Sequence, residues 1–281
     1  MSKAIFLAVL LLVSQAACSK SEPEFKAAHQ VPQRIVSLMP SLTEDLLAVG
    51  AGPQLVAVDE FSAQMPAVHQ LPKVGNFSSI DTERIVQLHP DLVVGIPSQE
   101  RLLQPLRQAG ISTLLLRDDS FDDIFTDLES LGAMSGHADI ARNLEGSLRK
   151  RTSALHRSIH YKHRPAVFVV LDTSPIYTTG RASYIAELIR QAGGRNAADN
   201  LRAAYAPYSA EALLRLQPDI IVTDASTGLM GALHTEPWRS LRAVALHHVY
   251  VVEPREILER PGPRYNAGLA WLIARLGPLA R

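Results

Sequence analysis

The chain has 281 residues, 47% of them hydrophobic, and its 28 Lys and Arg balance 28 Asp and Glu. Zero formal charge excludes a protein built to neutralise nucleic-acid phosphates, and so much apolar sequence excludes a disordered chain. One cysteine excludes an internal disulfide framework and a cysteine-built zinc or iron–sulfur centre.

In chain order, the first predicted element is an export signal over residues 1–17. Lys3 precedes the apolar run Ala4–Val13, which is too short to span a bilayer but suits a signal-peptide core, and small Ala16 and Ala17 follow. Cys18 stands directly after them, where a bacterial lipoprotein signal places its acylated cysteine. Cleavage at Ala16 or Ala17, with Cys18 incidental, is the plainer alternative. Residues 18–33, polar and Pro-containing, read as a tether.

Beyond residue 34, short aliphatic runs alternate with helical patterns. Strands are expected at 34–38, 54–58, 92–94, 113–116, 166–171, 220–222 and 249–252. Helices are expected at 42–50, 82–87, 99–109, 121–134, 138–160, 184–192, 210–215 and 266–276. This alternation predicts an α/β fold with parallel sheets. The longest helical pattern, 138–160, carries Ile140, Leu144, Leu148 and Leu155 at near-helical spacing.

An internal repeat organises these elements. Glu83–Val94 overlays Glu211–Val222 without a gap, with Glu, Leu, Pro, Asp and Val coinciding. A strand, a polar loop and a helix ending in Gly50-Ala51-Gly52 or Gly193-Gly194 lie upstream of each copy. The expectation is an amino-terminal lobe over 34–121, a connecting helical segment over 122–162 and a carboxyl-terminal lobe over 163–281. Between two such lobes lies a cleft, the usual place for a small ligand.

The chemistry of catalysis is not signposted. There is no Walker lysine loop, no Gly-x-Ser-x-Gly elbow and no His-Glu-x-x-His. His156 and His160 have metal-ligand spacing, but Arg151, Arg157, Lys162 and Arg164 flank them, which favours a solvated basic face. No metal site and no catalytic residue is assigned, and an exported binder is favoured over an enzyme.

Several motifs in order resemble one family: Arg34-Ile-Val-Ser-Leu-Met-Pro-Ser-Leu-Thr-Glu44, Leu71-Pro-Lys-Val-Gly75, the Glu83–Val93 segment, Tyr184–Ile189 with Ala192–Asn196, and Arg260-Pro-Gly-Pro-Arg264. Over residues 34–280 the chain resembles the periplasmic substrate-binding proteins of iron-chelate and cobalamin ABC importers, most nearly the cobalamin-binding branch. The resemblance implies the class III architecture, two similar lobes joined by a long rigid helix. It implies no bound cofactor, with cobalamin or another corrinoid carried as cargo. It also implies a periplasmic location and delivery to a permease dimer with its ATPase subunits. By motif position the implied ligand contacts are Phe61, Phe77, Tyr205 and the segment Glu256, Ile257, Leu258, Glu259 and Arg260. Glu83 and Glu211 match the family's permease-docking glutamates, one per lobe. Two positions depart from relatives: Ile96 stands where an aromatic is expected, and Asn76 where haem binders tend to place tyrosine. Ferric siderophores stay open as cargo, with Arg181, Arg202 and Arg260 as candidate anion contacts. Tyr177 and Tyr208 are added by loop position, and Trp238 and Trp271 are assigned to the core.

Overall fold

A computed structural model describes residues 31–117 and 120–280. The predicted signal peptide, Cys18 and most of the tether lie outside the described residues. Two four-stranded sheets, parallel throughout, frame the rest. In the first, Leu55–Val58 lies beside Ile35–Ser37, then Leu92–Gly95, then Ser112–Leu115. In the second, Arg195–Asn196 lies beside Ala166–Val170, then Ile220–Thr223, then Val249–Val251. Numbered along the chain, both sheets have the order 2-1-3-4. The expected α/β fold of two similar lobes is the observed one.

The repeat reaches down to single hydrogen bonds. Asp81 caps the helix Thr82–Gln87 by accepting from Arg84 N, and Ser209 caps Ala210–Leu216 by accepting from Ala212 N. An N-cap acceptor satisfies an amide that the helix leaves unpaired. Ile85 and Leu213, fully buried, hold equivalent places on the inner faces. Each helix then ends on a left-handed residue before Pro-Asp, His89 at φ 45° and Gln217 at φ 46°. The following aspartate holds the start of the first strand of its sheet: Asp91 Oδ2 accepts from Arg34 N at 2.9 Å, and Asp219 Oδ2 from Ala166 N at 2.8 Å. Upstream, Gly50 (φ 92°) and Gly193 (φ 83°) end the first helix of each lobe in the region that favours glycine.

The connection is the 20-residue helix Ala138–Arg157, about 30 Å long at 1.5 Å per residue. It stops three residues before the expected end, where Ser158 Oγ donates back to Leu155 O. It packs against Asp123–Met134 on one side and Tyr265–Leu276 on the other. One apolar cluster runs from Ile35 and Leu46 through Leu128 and Leu148 to Val169, Leu188 and Leu272, so both sheets and the connecting helix share a core.

Five short strands outside the two main sheets have no counterpart among the expected strands. Gly75–Asn76 pairs with Ser79–Ile80 as a hairpin, and Tyr205–Pro207, Ile176–Thr179 and Asp172–Thr173 form a three-stranded antiparallel sheet. Runs this short carry no alternation for the sequence to reveal. Both structures matter, because they carry Phe77 and Tyr205.

Candidate ligand-binding site

Ligands of parallel α/β sheets sit beyond the carboxyl ends of the strands. Segments following those ends in both lobes meet around a cavity of about 230 Å³. Met39, Pro40 and Ser41 follow the first strand, Phe61 and Gln64 the second, and Arg255, Glu256, Glu259, Arg260 and Pro261 the last. A larger hollow of about 690 Å³ lies beside His156, Arg164 and Gly193. Arg164 and Gly193 precede the strands of the second sheet, so that hollow lies at the amino ends, away from the strand-end site.

Phe61 is fixed from beneath. Asp59 Oδ2 accepts from Phe61 N at 2.9 Å and Ser62 N at 3.2 Å, and Ser62 Oγ donates to Asp59 Oδ1. Thr43 Oγ1 lies 2.9 Å from Ser62 Oγ and 2.8 Å from Ser37 Oγ. All four polar residues are buried. Burial pushes the Asp59 carboxyl above its ordinary value, against the opposing pull of its hydrogen bonds and of Arg260. This network ties the Phe61 turn to the Met39–Ser41 turn, two walls of one cavity.

Phe77 sits at the tip of its hairpin. Asn76 Oδ1 accepts from Ser78 N at 3.1 Å and Ser79 N at 3.2 Å, which closes the turn beneath the ring. Gly75, at φ 119°, leaves no room for a side chain, because a Cβ would lie 2.2 Å from Ser79 O. Buried Gln99 donates to Phe77 O at 3.4 Å and Leu38 O at 3.3 Å, linking the hairpin to the first strand's end. Tyr205 pairs with Thr179 in the antiparallel sheet and neighbours the buried Tyr184. Phe61 (50%), Phe77 (52%) and Tyr205 (41%) are the exposed aromatics among the described residues. Only Phe61 of the three lines the cavity itself.

The segment expected to supply five ligand contacts divides. Glu256, Glu259 and Arg260 line the cavity. Ile257 and Leu258 are buried at 8% and 1% exposure, on the inner side of the short helix Glu256–Glu259, so they pack the core instead. Burial pushes the Glu259 carboxyl up to about 7; Arg255 opposes this, while Asp224 and Glu256 add to it. The cavity wall thus carries Arg255, Arg260, Glu256 and Glu259, with Arg255 Nε 3.6 Å from Glu259 Oε2.

Arg181 lines a separate hollow with Ser183 and Arg190, and Arg202 does not line the cavity. Tyr208 meets Phe168 edge-on at 5.3 Å, and Trp238 is buried, so both belong to packing. Trp271 is half-buried with Arg275 stacked 4.1 Å from its ring centroid. Glu83 and Glu211 are exposed in the first turns of their equivalent helices. Among the described residues no three His, Cys, Asp or Glu side chains gather as a metal site. Met39, Pro40, Ser41, Gln64, Arg255 and Pro261 were not expected; for Met39–Ser41, position directly after a strand is the signal that could have found them.

Two α/β lobes that meet at a cavity beyond their strand ends define a bilobal ligand-binding protein. The chain belongs to the periplasmic binding protein family, whose profile matches residues 35–256, and it is therefore a substrate carrier and not an enzyme. It is 29% identical over 256 residues to the uncharacterized ABC transporter substrate-binding lipoprotein YvrC of Bacillus subtilis, covering 88% of this chain and 81% of that one. The periplasmic vitamin B12-binding protein BtuF of Vibrio cholerae has a similar structure, with TM-score 0.79 and 28% identity over 88% of this chain and 98% of that one. The periplasmic heme-binding protein RhuT of Roseiflexus sp. RS-1 also has TM-score 0.79, with 25% identity over 89% and 99%.

Proposed function

We propose that this chain is the substrate-binding component of an ABC importer and that its cargo is cobalamin or another corrinoid. The observation that carries the proposal is the distribution of exposed aromatic rings. Phe61 and Phe77 belong to one lobe and Tyr205 to the other, each on a turn or short strand fixed by backbone hydrogen bonds. A corrinoid is a broad, largely apolar ring edged with amides. Rings on fixed turns offer it flat contact at little entropic cost, and polar groups at the rim orient it. A wall that carries both arginines and glutamates, Arg255 and Arg260 beside Glu256 and Glu259, suits a cargo with little net charge. An iron chelate is the second reading, favoured by the two arginines in the cavity wall.

Titration of the purified protein with cyanocobalamin, hemin and a panel of ferric siderophores tests the proposal. Tight binding of cyanocobalamin is expected. Capture of a siderophore or hemin while every corrinoid is ignored overturns the cargo and leaves the transport role standing. Glu83 and Glu211 are the proposed contacts with the permease, since one acidic point on each lobe lets a two-fold partner engage both; exposed charges of this kind guide docking. Acylation of Cys18 would tether the carrier to a membrane, and mass spectrometry of the mature amino terminus reads it directly.

A further inference from the structure

We propose that Glu44 is a positioning residue of the cargo cavity, a latch that holds the wall residue Arg260 from the opposite lobe. This rests on the carrier function proposed above and goes beyond it. Glu44 lies in the helix Pro40–Ala48 of the first lobe, whose opening residues Pro40 and Ser41 line the cavity. Arg260 follows the last helix of the cavity wall in the second lobe and lines the same cavity. Glu44 Oε1 accepts from Arg260 Nη1 at 2.7 Å and also from Arg264 Nη2. The contact closes across 216 residues of sequence.

Burial separates this ion pair from the others among the described residues. Glu44 is 10% exposed and Arg260 17%, whereas in Arg142–Asp139 the two side chains are 67% and 87% exposed. Exposed pairs on one helix contribute little, but a charge-assisted bond shielded from water is strong, and removing one partner strands the other. The surroundings are built to keep Arg260 in place. Asp59 faces it from the Phe61 turn. At Gly262 a Cβ would lie 3.5 Å from Glu44 Oε2 and 3.8 Å from Asp45 Oδ1, so the Pro261–Pro263 turn rests against those carboxylates. Downstream, Thr152 of the connecting helix lies 2.6 Å from Tyr265 OH and donates to Asn266 Oδ1 at 2.9 Å.

Two consequences follow from one bond. Glu44 sets the distance between the lobes at the mouth of the cavity, and it fixes the direction in which the Arg260 guanidinium can meet a cargo acceptor. A guanidinium already held in place loses less freedom on binding. Glu44 therefore acts on the cargo through Arg260, without touching the cargo itself.

Hydrogen exchange of the cargo-free protein and cyanocobalamin titration of a double-mutant cycle test this together. In E44Q the amides of residues 256–264 should exchange at least tenfold faster, while those of the first sheet at 92–95 stay unchanged. R260A should give the same pattern. R264A, which keeps the Arg260 bond, should raise exchange less than threefold, and it remains informative should E44Q not fold. Cyanocobalamin should bind about tenfold more weakly to E44Q, with no added loss when E44Q is placed in the R260A background. Unchanged exchange in E44Q and R260A overturns the latch, whatever the cargo. Faster exchange with unchanged cyanocobalamin affinity, or additive losses in the double variant, overturns the positioning role. Wild-type protein that ignores cyanocobalamin overturns the corrinoid reading alone, since the exchange result then decides the latch.

Discussion

The two lobes are alike where their sheets begin and different where their strands end. At the amino ends, a capped helix, a left-handed residue and Pro-Asp lead into the third strand of each sheet, and the aspartate holds the start of the first. At the carboxyl ends, the first lobe presents two rings over a buried polar network, and the second presents Tyr205 on an added antiparallel sheet with a short charged helix. The frame is constrained by buried backbone groups that need partners, whereas a loop beyond a strand meets only solvent or ligand. Duplication therefore leaves the frame recognisable and lets the binding edge diverge.

The strongest way to break that comparison is in the frame. Ile85→Ala and Leu213→Ala should each destabilise by about 2–4 kcal/mol, because both delete a fully buried side chain at the same place in the repeat. Chemical denaturation giving losses that differ by more than about twofold would show that the lobes differ inside as well as at the edge. The binding edge should respond differently. Phe61→Ala and Tyr205→Ala should weaken cyanocobalamin binding by about 1–2 kcal/mol each and leave unfolding almost unchanged, since both rings are exposed in the free protein. A large loss of stability in either variant would return that ring to the core.

The docking glutamates probe the equivalence of the two copies. Charge reversal at both Glu83 and Glu211 should reduce uptake in cells at least tenfold while cargo affinity in solution is unchanged. Equal partial losses in the single variants would sharpen the case for a two-fold permease; loss of cargo affinity would remove both residues from docking. The smallest effect concerns Glu259, which has no counterpart in the first lobe. Folded, its carboxyl keeps a proton up to about pH 7; unfolded, it loses that proton near the ordinary value of 4.5. Stability contributed by this group thus falls as pH rises from about 4.5 to 7 and is level above. Glu259→Gln should stabilise the protein at pH 8 by on the order of 1 kcal/mol and have little effect at pH 4. Thermal unfolding at the two pH values checks the sign.

The core strands of both sheets, apart from the two-residue Arg195–Asn196, and the connecting helix were legible because aliphatic runs and helical spacing are local properties. So was the Glu83–Val94 repeat, since it needs only an alignment. The Phe77 hairpin and the Tyr205 sheet were not legible as strands. Pairings of two or three residues depend on distant partners, such as Tyr205 with Thr179 and Gln99 with Phe77. Within Glu256–Arg260, sequence position could not separate Ile257 and Leu258 from their neighbours, because one short helical turn sends adjacent side chains to opposite sides.

The sequence by itself determined the two-lobed α/β plan and the family, both of which follow from residue type and order; which of the candidate rings Phe61, Phe77, Tyr177, Tyr205 and Tyr208 are exposed was decided by the structure. Only the tertiary structure decided that Met39–Ser41, Phe61 and Arg260 share a cavity, and that Glu44 reaches Arg260 across the lobes. Those meetings depend on how two sheets and a 20-residue helix pack around one core, and no stretch of chain carries that information alone.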